Sequence, residues 1–278
     1  MARTKGCSPS LDADRLQPKM MKRTFVIGDT HGCFTELLTL IGLAGLAHDD
    51  EIIALGDFVD RGPQTPQVLD FFRRTPHTRA IMGNHERKHV GAFDGRLKPA
   101  LSQIIARRQI GEEHYPEAIV FFRQLPLFLD LPEALLVHGF FEPGIPLEHQ
   151  RDTVLAGTLS GEFYLRKHYP VPWYELYDGT KPLVVAHHDY LRTGEPLIVR
   201  DRVYGIDTGC VHGGRLTGLL LPEFRVISVP ARADHWTAIQ QAHVAAMIQD
   251  VRRVMPTEPG VDRTALCNGE RIDGVSGA

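Results

Sequence analysis

The sequence contains no unbroken apolar run approaching the roughly 20 residues that cross a bilayer. Its N-terminus carries no apolar core of the secretory-signal kind. These absences set the expectation of a cytoplasmic protein without a membrane partner. Cysteine is scarce: Cys7, Cys33, Cys210 and Cys267 stand far apart, with no Cys-x-x-Cys pair. That spacing argues against a zinc knuckle and against a disulfide framework. A basic excess is missing too. Lysine and arginine number 31 against 34 acidic residues, for a formal net charge of −3, so no strong nucleic-acid signal is present. Residues 1–20 and 256–278 lack the apolar content that offsets ordering entropy. They are expected to be a disordered arm and tail around a folded domain over 21–255.

What is present is a rhythm. Arg23 to Ile27 is a short apolar run stopping at Gly28, Ile52 to Leu55 stops at Gly56, and Thr78 to Met82 stops at Gly83. Each reads as a buried strand. From Cys33 on, Leu37, Leu40, Ile41 and Ala44 share one helical face, and Gln64 to Arg73 does the same with Val68, Leu69 and Phe72. Alternating strands and helices imply right-handed parallel crossovers. Residues 87–117 break the rhythm with many charges and are expected to form a helical insertion. Ala118 to Leu125 reads as a helix, and Phe128–Leu131 with Ala134–Val137 as a strand pair. Residues 140–181, rich in Pro, Gly and aromatics, read as a loop-rich lid. Short runs from Leu183 to Val229 predict an antiparallel second half, and Ala233 to Val254 predicts a closing helix.

The apolar runs end in residues with metal-ligand chemistry. Gly28-Asp29-Thr30-His31-Gly32, Gly56-Asp57-Phe58-Val59-Asp60-Arg61-Gly62 and Gly83-Asn84-His85-Glu86 follow the first three; His138 and His187 follow two later ones. Buried strands release polar side chains at their ends into a shared crevice. Two divalent ions about 3.5–4 Å apart can clamp a phosphate and generate hydroxide at neutral pH. Such a pair needs a bridging anion, and Asp57 is the natural candidate. Asp29 and His31 would complete one ion's shell, and Asn84, His138 and His187 the other's. The mixed oxygen and nitrogen set suits manganese first, with iron or zinc as alternatives. His85 is spaced to face the substrate and protonate a leaving oxygen. Asp60 can hold the His85 imidazole in one tautomer. Arg61 can grip phosphate oxygens with its planar fork, with Asn84 beside it.

These motifs, taken together, resemble those of the calcineurin-like metallophosphoesterases. Within them the Asp-Arg-Gly form of the second motif is similar to the branch of Ser/Thr phosphoprotein phosphatases, symmetrical diadenosine tetraphosphatases and bacterial RNA-repair phosphatase domains. The resemblance spans about residues 23–230. It implies an α/β fold, a four-layer α/β/β/α sandwich with the metals at the strand ends, and the roles just given to the nine site residues. It departs at Ala186-His187-His188-Asp189, where bacterial members usually carry Gly-His-Thr-Pro, so His188 rivals His187.

Several residues stay open between chemistry and structure. His188 and His212 suit either. Arg151 is the candidate for a second phosphate-gripping arginine, and Glu86 reads as a brace for its loop. His48, His77, His89, His114, His149 and His168 read as surface residues. Trp173, Tyr174 and Tyr177 read as lid packing ahead of a base-stacking platform. The substrate is expected to be a phosphoprotein or a small phosphoester or nucleotide. The first expectation is a Ser/Thr-phosphatase-like phosphomonoesterase. The alternative is a hydrolase of dinucleoside polyphosphates, such as diadenosine tetraphosphate, or of nucleic-acid ends. The intact ligand positions argue against a binding module with a relic site.

Overall fold

Alternation along the first strand, β1 (Thr24–Ile27), sets the layering. Phe25 and Ile27 enter one apolar cluster, whereas Val26 enters another, as the two-residue period of a strand requires. The computed structural model describes residues 22–254; the arm and tail expected at 1–20 and 256–278 lie outside the described residues. β1 pairs in parallel with β2 (Glu51–Ala54), and β2 with β3 (Thr78–Ala80). The crossovers are α1 (Phe34–Ala44) and α2 (Thr65–Arg74). Leu37, Leu40, Val68, Leu69 and Phe72 from these helices join Phe25 and Ile27 in the first cluster.

Three helices follow, α3 (Asn84–Phe93), α4 (Leu101–Ile110) and α5 (Tyr115–Gln124). α5 closes the aromatic nest around Phe58. The rings of Phe72, Phe121 and Phe122 lie 5.6, 6.2 and 6.0 Å from it. Phe58 is fully buried, so it anchors the loop that carries Asp57 and Asp60.

The next strands build a second sheet. β4 (Phe128–Asp130) pairs antiparallel with β5 (Leu135–Val137). The chain then runs through α6 (Asp152–Leu155) and α7 (Leu159–His168) to β6 (Leu183–Val185), β7 (Leu197–Val199) and β8 (Val203–Gly205). The stretch 140–181 therefore holds a helix of ten residues where loop was expected. α7 buries little beyond Gly161 and Leu165 and exposes Leu159 and Phe163, so it lacks the apolar stripe by which a helix shows itself in sequence.

The second half is mixed rather than antiparallel. β6 runs parallel to both β5 and β8. A long connection through α6 and α7 brings the chain back to start β6 in the direction of β5, as parallel pairing demands. β7 then runs back along the outer edge, antiparallel to β8. Three more strands, β9 (Asp207–Thr208), β10 (Arg215–Leu221) and β11 (Arg225–Pro230), return to the first sheet, where β10 pairs antiparallel with β1. The sheets are ordered β11-β10-β1-β2-β3, with β9 on β10, and β4-β5-β6-β8-β7.

Three apolar clusters make four layers. One lies between the first sheet and helices α1, α2, α3 and α5. One lies between the sheets and includes Val26, Ile53, Leu136, Val184 and Leu219. The third packs Leu135, Val137, Leu183 and Val185 under Val154, Leu165 and Trp173. The fold is thus the α/β/β/α sandwich. A last helix, α8 (His235–Val254), belongs from Ala238 on to a separate compact unit. No helix of the described residues is long and apolar enough to cross a membrane.

Leu136 is fully buried between the two sheets. Leu136→Ala should lower unfolding free energy by about 2–5 kcal/mol, the cost of the lost transfer energy and the cavity. Urea unfolding measures it; a loss under about 1 kcal/mol would mean the sheets do not close on this side chain.

Candidate metal centre

The loops after β1, β2, β3, β5 and β6 bring the candidate residues to one end of the sheets. Ordinary backbone would not do it. His31, Asp57, Asp60, Arg61 and His187 have φ of 43°, 47°, 72°, 64° and 68°. These are left-handed values that side-chain-bearing residues adopt only when the surroundings hold them there. Gly62 and Gly83 allow the approach. A Cβ on Gly62 would strike the carbonyl oxygen of His31, and one on Gly83 would strike the Asp57 carboxylate.

Asp57 sits in the middle. Its Oδ2 lies 3.8 Å from His31 Nε2 and 3.9 Å from His85 Nε2, and its Oδ1 lies 3.4 Å from His138 Nε2. Asp29 Oδ2 is 3.7 Å from His31 Nε2, and Asp29 Oδ1 is 3.9 Å from His138 Nδ1. Two triplets of ligand atoms result, His31–Asp57–His85 and Asp57–His138–His187, each within 4.8 Å. Asp57 belongs to both. Two of the imidazoles are oriented from behind. His31 Nδ1 donates to Val59 O at 2.8 Å and His138 Nδ1 to Leu55 O at 2.7 Å, so each turns its Nε2 inward; against the effect of burial, Asp57 raises His138 to about 10, a proton that a cation would displace.

This arrangement fits a cation. The inward atom of the Asn84 amide lies 2.9 Å from Asp57 Oδ2, 3.0 Å from His187 Nδ1 and 3.2 Å from His138 Nε2. With its oxygen inward, four acceptors face one point, an arrangement that a cation satisfies; turned over, the amide donates to all three. His85 Nε2 is buried with no hydrogen-bond partner. Charge says the same. Burial, then Asp207 and Asp57, push the Asp29 carboxyl well above its usual range. Burial and the neighbouring His138 hold the His187 imidazole down to about 3. Burial and the Arg61 guanidinium lower His31. A neutral imidazole is the form that binds a metal.

The calcineurin-like phosphoesterase family model matches residues 22–213. The chain belongs to the calcineurin-like phosphoesterases. Bis(5'-nucleosyl)-tetraphosphatase PrpE [asymmetrical] of Halalkalibacterium halodurans is 33% identical over 237 residues, covering 74% of this chain and 93% of the relative. Its namesake from Anoxybacillus flavithermus is 31% identical with the same coverage. Among solved structures, a metallophosphoesterase from Sphaerobacter thermophilus shares the fold at a TM-score of 0.52 and 19% identity, over 80% of this chain and 94% of its own. Such phosphoesterases use a dinuclear metal centre, and the cluster around Asp57, which both triplets share, is this chain's candidate for it.

Behind the phosphoesterase's candidate ligands lies a second layer built on Asp60. Asp60 is fully buried, and its carboxylate accepts from His85 Nδ1 at 2.5 Å, His89 Nε2 at 2.7 Å, Ser102 Oγ at 3.3 Å and Gln103 Nε2. Burial alone would raise its pKa; His89 and His85 outweigh that and hold it far below the carboxylate range. His89 thus corrects the expectation of a surface histidine: it is fully buried. Its Nδ1 accepts from the Tyr115 hydroxyl at 2.8 Å, a phenol that burial raises to about 12 and so keeps protonated. The signal was in the sequence. His85 and His89 stand four apart on α3, hence on one helical face. The other five histidines read as surface are exposed.

The rim sorts the remaining candidates. Arg61 NH1 lies 3.0 Å from His31 Nε2. His212 lies near Arg61, and burial and that guanidinium lower its pKa. His187 turns to His138, ring centroids 5.1 Å apart, whereas the His188 ring packs on Tyr190 at 5.3 Å. Arg151 does not join the site; both Glu142 oxygens hold it at 2.7 Å. Glu86 accepts from the backbone N–H groups of Asp57, Phe58, Val59 and Gly83 and so braces two loops. One acid was missed. Burial and Asp57 raise Asp207 to about 6, despite the stabilising Gly209 N–H, and Asp207 in turn raises Asp29. It lies after the last parallel strand, in the segment Ile206–Arg215 where the sequence drew attention to His212 instead.

Metal content tests the two triplets. Dialysed against manganese, the protein is expected to hold two ions per chain. Asp57→Asn should lose both and His187→Ala one, with His188→Ala unchanged. Retention of both ions by the Asp57 variant would remove it as the bridge.

Proposed function

We propose that this protein hydrolyses dinucleoside tetraphosphates with two divalent ions, manganese first and iron or zinc as alternatives, and cuts the phosphate chain asymmetrically. The observation that carries the metal chemistry is the sharing of Asp57 by two triplets of ligand atoms. The substrate comes from the relatives, which are named asymmetrical bis(5'-nucleosyl)-tetraphosphatases. They favour the dinucleoside alternative over the phosphomonoesterase placed first from the sequence. They also favour the asymmetrical cut over the symmetrical one. The buried thiols of Cys33 and Cys210 are free, in keeping with a reducing cytoplasm.

When bound, the ions supply Lewis-acid polarisation of a phosphate and activation of water. In this reading Asp57 would be shared between them, Asp29 and His31 would hold one, and Asn84, His138 and His187 the other. Arg61, at the rim, grips the non-bridging oxygens of the phosphate under attack. His85 gives its Nδ1 proton to Asp60 as a hydrogen bond, so its Nε2 faces the centre. From there it passes a proton to the leaving phosphate oxygen. Asp60, fixed by His89, Ser102 and Gln103, keeps that imidazole in position. Water attack at the α-phosphate breaks the Pα–O–Pβ link and releases a nucleoside monophosphate and a nucleoside triphosphate.

Chromatography of the products separates the readings. Diadenosine tetraphosphate with manganese should give equal AMP and ATP. Two ADP would make the cut symmetrical. No cleavage, with turnover of phosphopeptide instead, would restore the phosphomonoesterase.

A general acid contributes about 10²–10⁴-fold. His85→Asn should therefore lower kcat at least about 10²-fold while the protein keeps two ions. Loss of metal in this variant would make His85 a ligand.

A further inference from the structure

A cavity of about 410 Å³ opens beside the metal centre, walled by Phe140, Trp173, Tyr174, His188, Tyr190 and Arg192 among others. Its size falls in the range of small-molecule sites, about 300–1,000 Å³. Two paths of ring contacts, edge to face or tilted, join it to the candidate ligand His187. On one side Phe140 lies 5.2 Å from His187, and Trp173 lies 6.5 Å from Phe140. On the other, His188 lies 6.0 Å from His187, and Tyr190 lies 5.3 Å from His188. The cavity and the metal centre therefore share a wall, and a ligand lying across that wall reaches both.

We propose that this cavity is the nucleoside subsite of the phosphoesterase, taking the base and ribose of a nucleoside 5'-phosphate while the phosphate chain runs over His188 to the metals. The proposal rests on the dinucleoside tetraphosphate reading for its substrate, and on the cavity alone for its site. Trp173, Tyr174 and Tyr190 meet edge to face, with centroids 5.3–6.4 Å apart, and hold one another as a rigid aromatic wall. Trp173 is buried in the core under the second sheet, so its packing role and its place in the wall are compatible. A π-face binds any base by stacking.

The charges are placed for a phosphate chain. Arg166, also on the wall, pairs with Glu162 at 2.7 Å. The Arg192 guanidinium has no hydrogen bond or ion pair among the described residues, and it stands on the wall that continues into His187 and His188. An uncompensated arginine on the wall of an aromatic cavity suits an anion attached to an apolar ring, as in a nucleotide. It does not suit an uncharged apolar ligand. The loop that carries the wall thus supplies substrate selection, and the strand ends supply the chemistry.

Kinetics of the metal-loaded full-length chain test the subsite with two substrates, diadenosine tetraphosphate and p-nitrophenyl phosphate, which has no nucleoside. Tyr174→Ala, on the partly exposed side of the wall, should raise KM for diadenosine tetraphosphate about tenfold, from the loss of one stacking partner, with kcat changing far less. The ratio of kcat/KM between the two substrates should fall by the same factor, and Arg192→Ala should lower it as well. If diadenosine tetraphosphate is cleaved and neither variant moves that ratio, the subsite is overturned while the proposed function stands. If it is not cleaved at all, the function fails and AMP binding decides the subsite. The chain has two tryptophans, Trp173 and Trp236, so Trp236→Phe leaves Trp173 as sole reporter. Saturable quenching of its fluorescence by AMP would uphold a nucleotide site, and unchanged fluorescence would overturn it.

Discussion

Negative charge buried at one end of two sheets is the constraint on which the rest of this structure depends. Asp29, Asp57, Asp60 and Glu86 are almost wholly enclosed. An unpaired buried carboxylate is costly, and its neighbours must answer it with protons, donors or cations. The four are answered in three ways. Glu86 is ringed by backbone N–H groups and raised to about 8 by burial and Asp57. Asp60 has four donors. Asp29 and Asp57 face the imidazoles of His31 and His138, each turned to present its Nε2 inward. That last combination, acids among acceptors, is the one that asks for metal. The left-handed backbone at His31, Asp57 and His187 is the cost of aiming all of them at one place.

Asp60 ties this end of the fold to the helices inserted after β3. α3 supplies His85 and His89, α4 supplies Ser102 and Gln103, and α5 begins with the Tyr115 that holds His89. The helices thus do more than cover the first sheet. They fix the carboxylate that fixes His85, and through Phe121 and Phe122 they grip Phe58 in the same loop. A change in their packing therefore reaches the candidate site through two contacts, one polar and one apolar.

The opposite side of the centre is built by the second sheet and the chain over it. α7, Trp173 and the loop after His187 raise an aromatic wall there. Division of labour follows from geometry. The candidate ligands sit where parallel strands end in both sheets, and the proposed nucleoside subsite sits on longer connections, which can change shape without disturbing the strands.

The sequence by itself determined the strands, the first two crossovers and the set of polar residues at the strand ends. Each rests on local regularity: a period of two, a period of 3.6, and short motifs whose glycines and acids admit few conformations. It also placed Glu86 as a brace. What it left open was decided by partners far away in the chain. His187 rather than His188 turns to the ligand cluster because the backbone leaves β6 at a φ of 68°, which ends the alternation of the strand. His89 is buried because Asp60, 29 residues earlier, lies where its helical face points. Asp207 joins the acids because β9 returns to the first sheet beside β10. β6 and β8 run parallel because the chain between them detours along the outer edge as β7. No local period records such returns; only the packed sheets decide which residues from distant stretches share a crevice.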